Sequence, residues 1–318
     1  MDTNIYLWVG FSAVILTLLV LDLGVFHRKS HAVGTREAAI WTVVWVFCAL
    51  LFNLAIYFWQ GRQPALEYLT GYLIEKSLSV DNLFVFVMVF ASFSVAPAQQ
   101  HRVLFWGIVG ALVMRGLLIA GGAVLMERFV WIAYIFGAFL VYTGIKIGIK
   151  KESDPHPEKN PVVRLARRFL PMSTHAKDGA FTVREGGKLL LTPLFLVLVT
   201  VETTDLVFAL DSIPAIFAVT TDPFIVFTSN IFAILGLRSL YFLLAGAVGK
   251  FFYLKTSLAI ILVFVGLKML LAHFFKVPTA LSLAVIVGVL ISGIVASLIR
   301  ERRLKLDAAR ATLLPDAE

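Results

Sequence analysis

The sequence predicts an all-α membrane protein: a polytopic helix bundle of about nine transmembrane helices with an inverted repeat. Three observations carry that prediction. Of 318 residues, 59% are hydrophobic and only 15% charged, whereas soluble domains are nearer half apolar and about a quarter charged. The apolar residues fall into runs close to the twenty or so residues needed to cross hydrocarbon, and the mean hydropathy is +0.89. The basic residues collect between these runs and form no tract able to follow a phosphate backbone. A net charge of +8 therefore reads as a topology signal. Nucleic acid is excluded as a partner, and the lipid bilayer is implied.

The first run, 5–26, carries Asp2 and no basic residue on its N-terminal flank. It is longer than a signal-peptide core, so it is expected to remain as a span. Further spans are expected at 38–58, 66–95, 103–125, 129–149, 189–217, 222–246, 255–274 and 279–299, the third and sixth long enough to be tilted or broken. One membrane domain thus covers 1–318, with a loop at 150–188 and a short tail at 300–318. With the N-terminus outside, twenty-one Lys and Arg fall on the inner side against Arg62, Arg128 and Lys276 on the outer. Removing the ten of the long loop preserves the bias, so an N-out, C-in chain in a bacterial inner membrane is expected, with loop and tail in the cytoplasm. Within the loop, 161–171 places Val162, Leu165, Ala166 and Phe169 on one helical face and three arginines on another, as a helix on anionic headgroups would. Residues 180–188 read as a hairpin turning at Gly186-Gly187.

Two of the spans are acidic. The sixth contains Glu202, Asp205 and Asp211, and the third Glu75 and Asp81 followed by Asn82. An ionised carboxylate at that depth is costly unless compensated. In an N-out chain the third and sixth spans run in opposite directions. Both bring their acids near the midplane, where inverted-repeat transporters bind cargo. On a regular helix Glu75, Ser79 and Asn82 share a face, and Glu202 and Asp205 are neighbours. Pro214 removes a hydrogen bond from the carbonyl of Leu210, so a kink is expected to swing Asp211 and Ser212 toward the cavity. The donors are hard oxygens: the five carboxylates, the Asn82 amide and the hydroxyls of Ser79, Thr204 and Ser212. No histidine lies in either span. Such a set suits Mn²⁺, Mg²⁺ or Ca²⁺ over Zn²⁺ or Cu⁺. The candidate metal ligands are therefore Glu75, Asp81, Asn82, Glu202, Asp205 and Asp211, supported by Ser79, Thr204 and Ser212. Arg115 and Arg238 are expected to pair with acids inside the bundle. With Asp22, six acids stand at membrane depth against Lys76, Arg115, Arg238 and Lys268, an excess that one divalent cation would neutralise.

The runs Glu75-Lys76-Ser77-Leu78-Ser79-Val80-Asp81-Asn82, Glu202-Thr203-Thr204-Asp205 through Asp211-Ser212-Ile213-Pro214-Ala215, and Ser229-Asn230 through Tyr241-Phe242 resemble the TerC integral membrane proteins, nearest in pattern to their Alx branch. The resemblance spans the first to the ninth apolar run. It implies a bacterial inner-membrane protein of a superfamily that includes lysine exporters, with members linked to manganese efflux, by older naming to tellurium resistance, and in the Alx branch to redox modulation. Manganese as the exported ion comes from this resemblance alone, and no cofactor other than the transported cation is expected. A non-transporting scaffold or redox modulator is the alternative. The single cysteine, Cys48, excludes a two-thiol mechanism within one chain. An intramembrane aspartyl protease lacks any Gly-x-Gly-Asp-like element beside Asp205 or Asp211, so no enzymatic role is expected.

Overall fold

A computed structural model describes residues 5–24, 34–129, 131–149, 171, 173, 179–185, 188–245, 253–275 and 277–313. Among them are ten α-helices: α1 (Ile5–Gly24), α2 (Thr35–Gln60), α3 (Arg62–Ser92), α4 (Pro97–Arg128), α5 (Trp131–Ile149), α6 (Pro193–Phe217), α7 (Pro223–Leu235), α8 (Leu237–Ala245), α9 (Leu254–Leu270) and α10 (Thr279–Leu313). The all-α bundle is as expected, and each of the nine anticipated runs coincides with helix. By length and composition alone, however, five helices qualify as membrane spans, or six when α7 and α8 count as one. The other three of the nine runs fall below that threshold: α1, which counts only over Leu7–Leu18 among the described residues, α3 with its charged residues, and α9 with 17 residues.

Two local features differ from the expectation, and both have a physical reason. The sixth helix begins at Pro193 instead of residue 189, because Lys188–Leu191 forms strand β2 against β1 (Thr182–Glu185), antiparallel with Glu185 opposite Lys188. The hairpin is the one anticipated, with its turn residues 186–187 outside the described part. It is tied down by the Thr192 hydroxyl donating to Ala180 O at 2.6 Å and by Arg102 stacked over Phe181. Proline then occupies the first helical position, where its missing N–H costs nothing. The anticipated basic amphipathic helix at 161–171 lies outside the described residues apart from Pro171, which is not helical. The second difference is that α6 runs unbroken through Pro214. The break falls instead in the seventh run, where α7 and α8 meet at Gly236 with a 40° bend.

Small residues set how closely the helices approach. α5 and α9 are antiparallel, with Gly137 facing Gly266 and Gly144 facing Ala259. A Cβ on Gly266 would sit 2.7 Å from Gly137 O, and one on Gly144 would sit 2.8 Å from Ala259 O. The obstructing atoms are backbone, so a side chain at either position would have to separate the helices; this is the small-residue packing that membrane helices use in place of a hydrophobic driving force. α3 crosses the middle of the bundle. Its Gly71 meets Ser229 of α7 and Ile216 of α6, while farther along Phe86 shares a cavity wall with Val201 and Asp205 of α6. α3 and α6 are therefore antiparallel, as their opposite directions in the sequence require. α4 runs parallel to α6, with Gly107 against Val201 and Gly122 against Phe217.

Candidate functional site

The centre of the bundle holds a charge network assembled from four helices. Arg115 of α4 is 1% exposed, Glu75 of α3 0% and Asp205 of α6 4%. The Arg115 guanidinium donates to Asp205 through two bonds, Nη2 to Oδ1 at 2.9 Å and Nε to Oδ2 at 3.1 Å. Its Nη1 donates to Glu75 Oε1 and, at 3.3 Å, to Asn230 Oδ1 on α7. Asn230 in turn donates from Nδ2 to Glu75 Oε2 at 3.1 Å. Every carboxylate oxygen of the pair thus accepts a hydrogen bond. The planar fork of arginine suits this, since it can grip one carboxylate bidentately and reach a second with its remaining nitrogen. Two carboxylates thus share one guanidinium, with Lys76 next to Glu75 in the chain and Arg238 on the cavity wall beside Asp205.

Local sequence explains why these groups meet. Glycine at position 71 admits Ser229, drawing α7 onto α3 and bringing Asn230 to Glu75. Gly107, Gly110 and Ala111 give α4 a nearly bare face toward α6. A Cβ on Gly110 would overlap the Glu202 carboxylate, which lies on that backbone. Glu202 Oε2 is enclosed and has no hydrogen-bond partner among the described residues. Beside Asp205 is a cavity of about 10 Å³ lined by Gly107, Ala111, Val201, Leu237 and Arg238, space for about one water.

The candidate ligands separate into groups. Glu75 and Asp205 meet through Arg115, which pairs with acids as expected, and Glu202 sits one turn before Asp205 on α6. Ser79 and Asn82 are buried on the Glu75 face of α3, the Ser79 hydroxyl without a partner among the described residues. Asp81 lies within α3, and its side chain is outside the described part. Thr204 donates back to Thr200 O at 2.7 Å. Asp211, on the continuous α6, turns to α5 and accepts from the Thr143 hydroxyl at 3.2 Å, so it does not join the pair; Ser212 is buried beside it with its hydroxyl unpartnered among the described residues. Arg238 is buried on α8. Among the described residues no three Asp, Glu, His or Cys side chains converge as a set that could hold a metal ion.

One contributor, Asn230, is not among the candidates read from the sequence, and it completes the network; Lys76, counted there only as a base at membrane depth, extends its ammonium to Ala233 O at 3.3 Å, beside Gly236. At the break between α7 and α8 it meets the carbonyl end of α7, where a cation offsets the helix dipole. The signal was present: Asn230 is an amide inside an otherwise apolar helix, and Lys76 adjoins Glu75.

Fold and site together define a polytopic helical membrane protein with a buried intramembrane ion-pair network. The chain belongs to the TerC family of integral membrane proteins, whose family model matches residues 60–305. An uncharacterized membrane protein of Myxococcus xanthus is 53% identical over 296 residues, covering 93% of each chain. A protein of Escherichia coli strain K12, named Alx with a suggested role as membrane-bound redox modulator, is 50% identical over 294 residues, covering 90% of this chain and 92% of its own. An uncharacterized membrane protein of Rickettsia felis is 42% identical over 294 residues, covering 92% and 98%. No solved structure matches the chain.

Proposed function

We infer that this protein is a non-enzymatic secondary transporter exporting a divalent metal cation, Mn²⁺ by family resemblance, from a bacterial cytoplasm. The observation that carries the reading is the Glu75–Asp205 pair, two buried carboxylates from antiparallel helices that share the Arg115 guanidinium. Acids at membrane depth mark ion pathways, and oxygen donors suit a hard cation. Glu202 places another carboxylate one turn away. Asp81, Asn82 and Asp211, with Ser79, Thr204 and Ser212, extend the oxygen donors along α3 and α6, and Arg238 supplies a charge at the cavity wall. A non-transporting redox modulator or scaffold, linked by the family resemblance to tellurium resistance, is the second reading; relatives in Escherichia coli and Salmonella typhi carry the redox-modulator name. With Cys48 as the single cysteine, any redox effect of this chain runs through metal balance or a partner.

Manganese content of loaded cells with and without the protein tests the proposal. Expression should lower it, Asp81→Asn should abolish the effect, and Arg62→Gln at the first residue of α3 should not. Unchanged manganese on expression of wild type would sink the export reading. For orientation, reporter fusions after Lys159 and at the C-terminus should both report cytoplasm. An external signal from either would overturn the N-out, C-in assignment.

A further inference from the structure

We propose that Arg115 is a tethered stand-in for the transported cation: it occupies the Glu75–Asp205 pair when no ion is bound, and an arriving divalent cation takes the pair as the guanidinium moves to Glu202. The inference rests on the reading of that pair as the ion site and adds how the site is emptied and refilled.

Four observations lead to it. All four carboxylate oxygens already accept hydrogen bonds, three of them from Arg115. A divalent cation entering with the guanidinium in place would put two cations side by side on the same carboxylate oxygens, in a region where like charges repel strongly. Ion and guanidinium therefore exclude each other. The displaced guanidinium also needs an acceptor, and Glu202 Oε2 is enclosed and unpartnered among the described residues. Finally, the move is short and sterically open. Glu202 lies three residues before Asp205 on α6 and rests on Gly110 of α4, the helix that carries Arg115. Because α4 and α6 run parallel, Glu202 lies toward the N-terminal end of Arg115's own helix. One turn is about 5.4 Å, within the span of an arginine side chain, and helical side chains already lean toward the N-terminus. Gly107, Gly110 and Ala111 leave that face of α4 without bulk, and the small cavity beside Asp205 opens onto the same surface.

The exchange makes two side chains act through each other. Glu202 assists ion binding by receiving Arg115, not by touching the ion. Removing its charge should weaken binding only while Arg115 is present. Arg115 taxes ion affinity because it populates the occupied state, so its removal should tighten binding.

The test is Mn²⁺ titration of purified protein in lipid nanodiscs, with free ion followed by electron paramagnetic resonance, for wild type, Asp205→Asn, Arg115→Gln, Arg115→Lys, Glu202→Gln and the double variants at 115 and 202. Arg115→Gln should bind at least about tenfold more tightly than wild type, the gain expected when a competing state of about 90% population is removed. Arg115→Lys should gain less. Glu202→Gln should weaken wild type by about tenfold yet change the Arg115→Gln background by less than about twofold, a coupling that independent sites do not show. If Arg115→Gln fails to accumulate, Arg115→Lys with and without Glu202→Gln supplies the comparison, with a smaller Glu202 effect than in wild type. Unchanged or weaker binding by the Arg115 variants, or an equal loss from Glu202→Gln in both backgrounds, overturns the exchange while leaving the ion site standing, provided that Asp205→Asn still abolishes binding. No Mn²⁺ binding by wild type, or full binding by Asp205→Asn, overturns the ion-site reading and the exchange with it.

Discussion

Replacing Arg115 with methionine is expected to destabilise the ion-free protein by about 3–5 kcal/mol, the range seen when one partner of a buried ion pair is removed. Methionine fills much of the same volume, so lost packing is not the main cause. What remains is Glu75 and Asp205, both enclosed, with three carboxylate oxygens deprived of their donor and only the Asn230 bond to Glu75 Oε2 intact. Two carboxylates left in a medium of low dielectric without their shared cation are costly. The penalty belongs to the unpaired charges and not to the arginine, so neutralising them should recover most of it. The triple variant Glu75→Gln, Arg115→Met, Asp205→Asn should unfold within about 1 kcal/mol of wild type, as replacing a whole buried ion pair is often near neutral. Denaturant or thermal unfolding in detergent reads the difference. A methionine variant unfolding at the wild-type midpoint would show that the three groups do not form a desolvated pair.

Much of this arrangement is legible in the sequence, because membrane burial makes a charged residue conspicuous. Glu75, Asp205 and Arg115 each lie in a mostly apolar helix, and the expectation that Arg115 pairs with acids follows from cost alone. Which acids it pairs with depends on helix separations, and those are set by glycines that have no signature of their own: Gly71, which draws α7 onto α3, and Gly110, which lets Glu202 lie on α4. Asn230 was readable as an oddity and not as a bridge for the same reason. The expected swing of Asp211 failed on geometry. Six residues beyond Asp205, it points about 240° around the helix at 100° per residue, and because α6 continues through Pro214 nothing rotates it back, leaving it to Thr143. Proline weakens a helix, yet neighbours that hold both sides can carry the chain past it. At Gly236 the opposite holds, where Lys76 stands close enough to reward a break.

Asp205→Asn should leave a protein that inserts and accumulates but exports manganese about a hundredfold more slowly than wild type. The substitution is nearly isosteric, so the packing of α6 against α4 persists. An amide oxygen can still accept from Arg115 Nη2, but the amide nitrogen then faces the Nε–H that Asp205 Oδ2 now receives, donor against donor. That mismatch should cost about 1–3 kcal/mol of stability, less than the loss of Arg115, because Glu75 keeps its partner. The effect on transport is larger because one of the two carboxylates that would receive the cation is gone, and the other, Glu75, stays paired with Arg115. A hundredfold loss corresponds to a little under 3 kcal/mol, at about 1.4 kcal/mol per decade. Inverted vesicles loaded with a manganese-sensitive dye give the rate, and immunoblotting gives abundance. Arg62→Gln, outside the network, should match wild type in both. Wild-type export by Asp205→Asn at wild-type abundance would mean that the Asp205 charge is not what the ion uses, and that the cation crosses the bundle without meeting the Glu75–Asp205 pair.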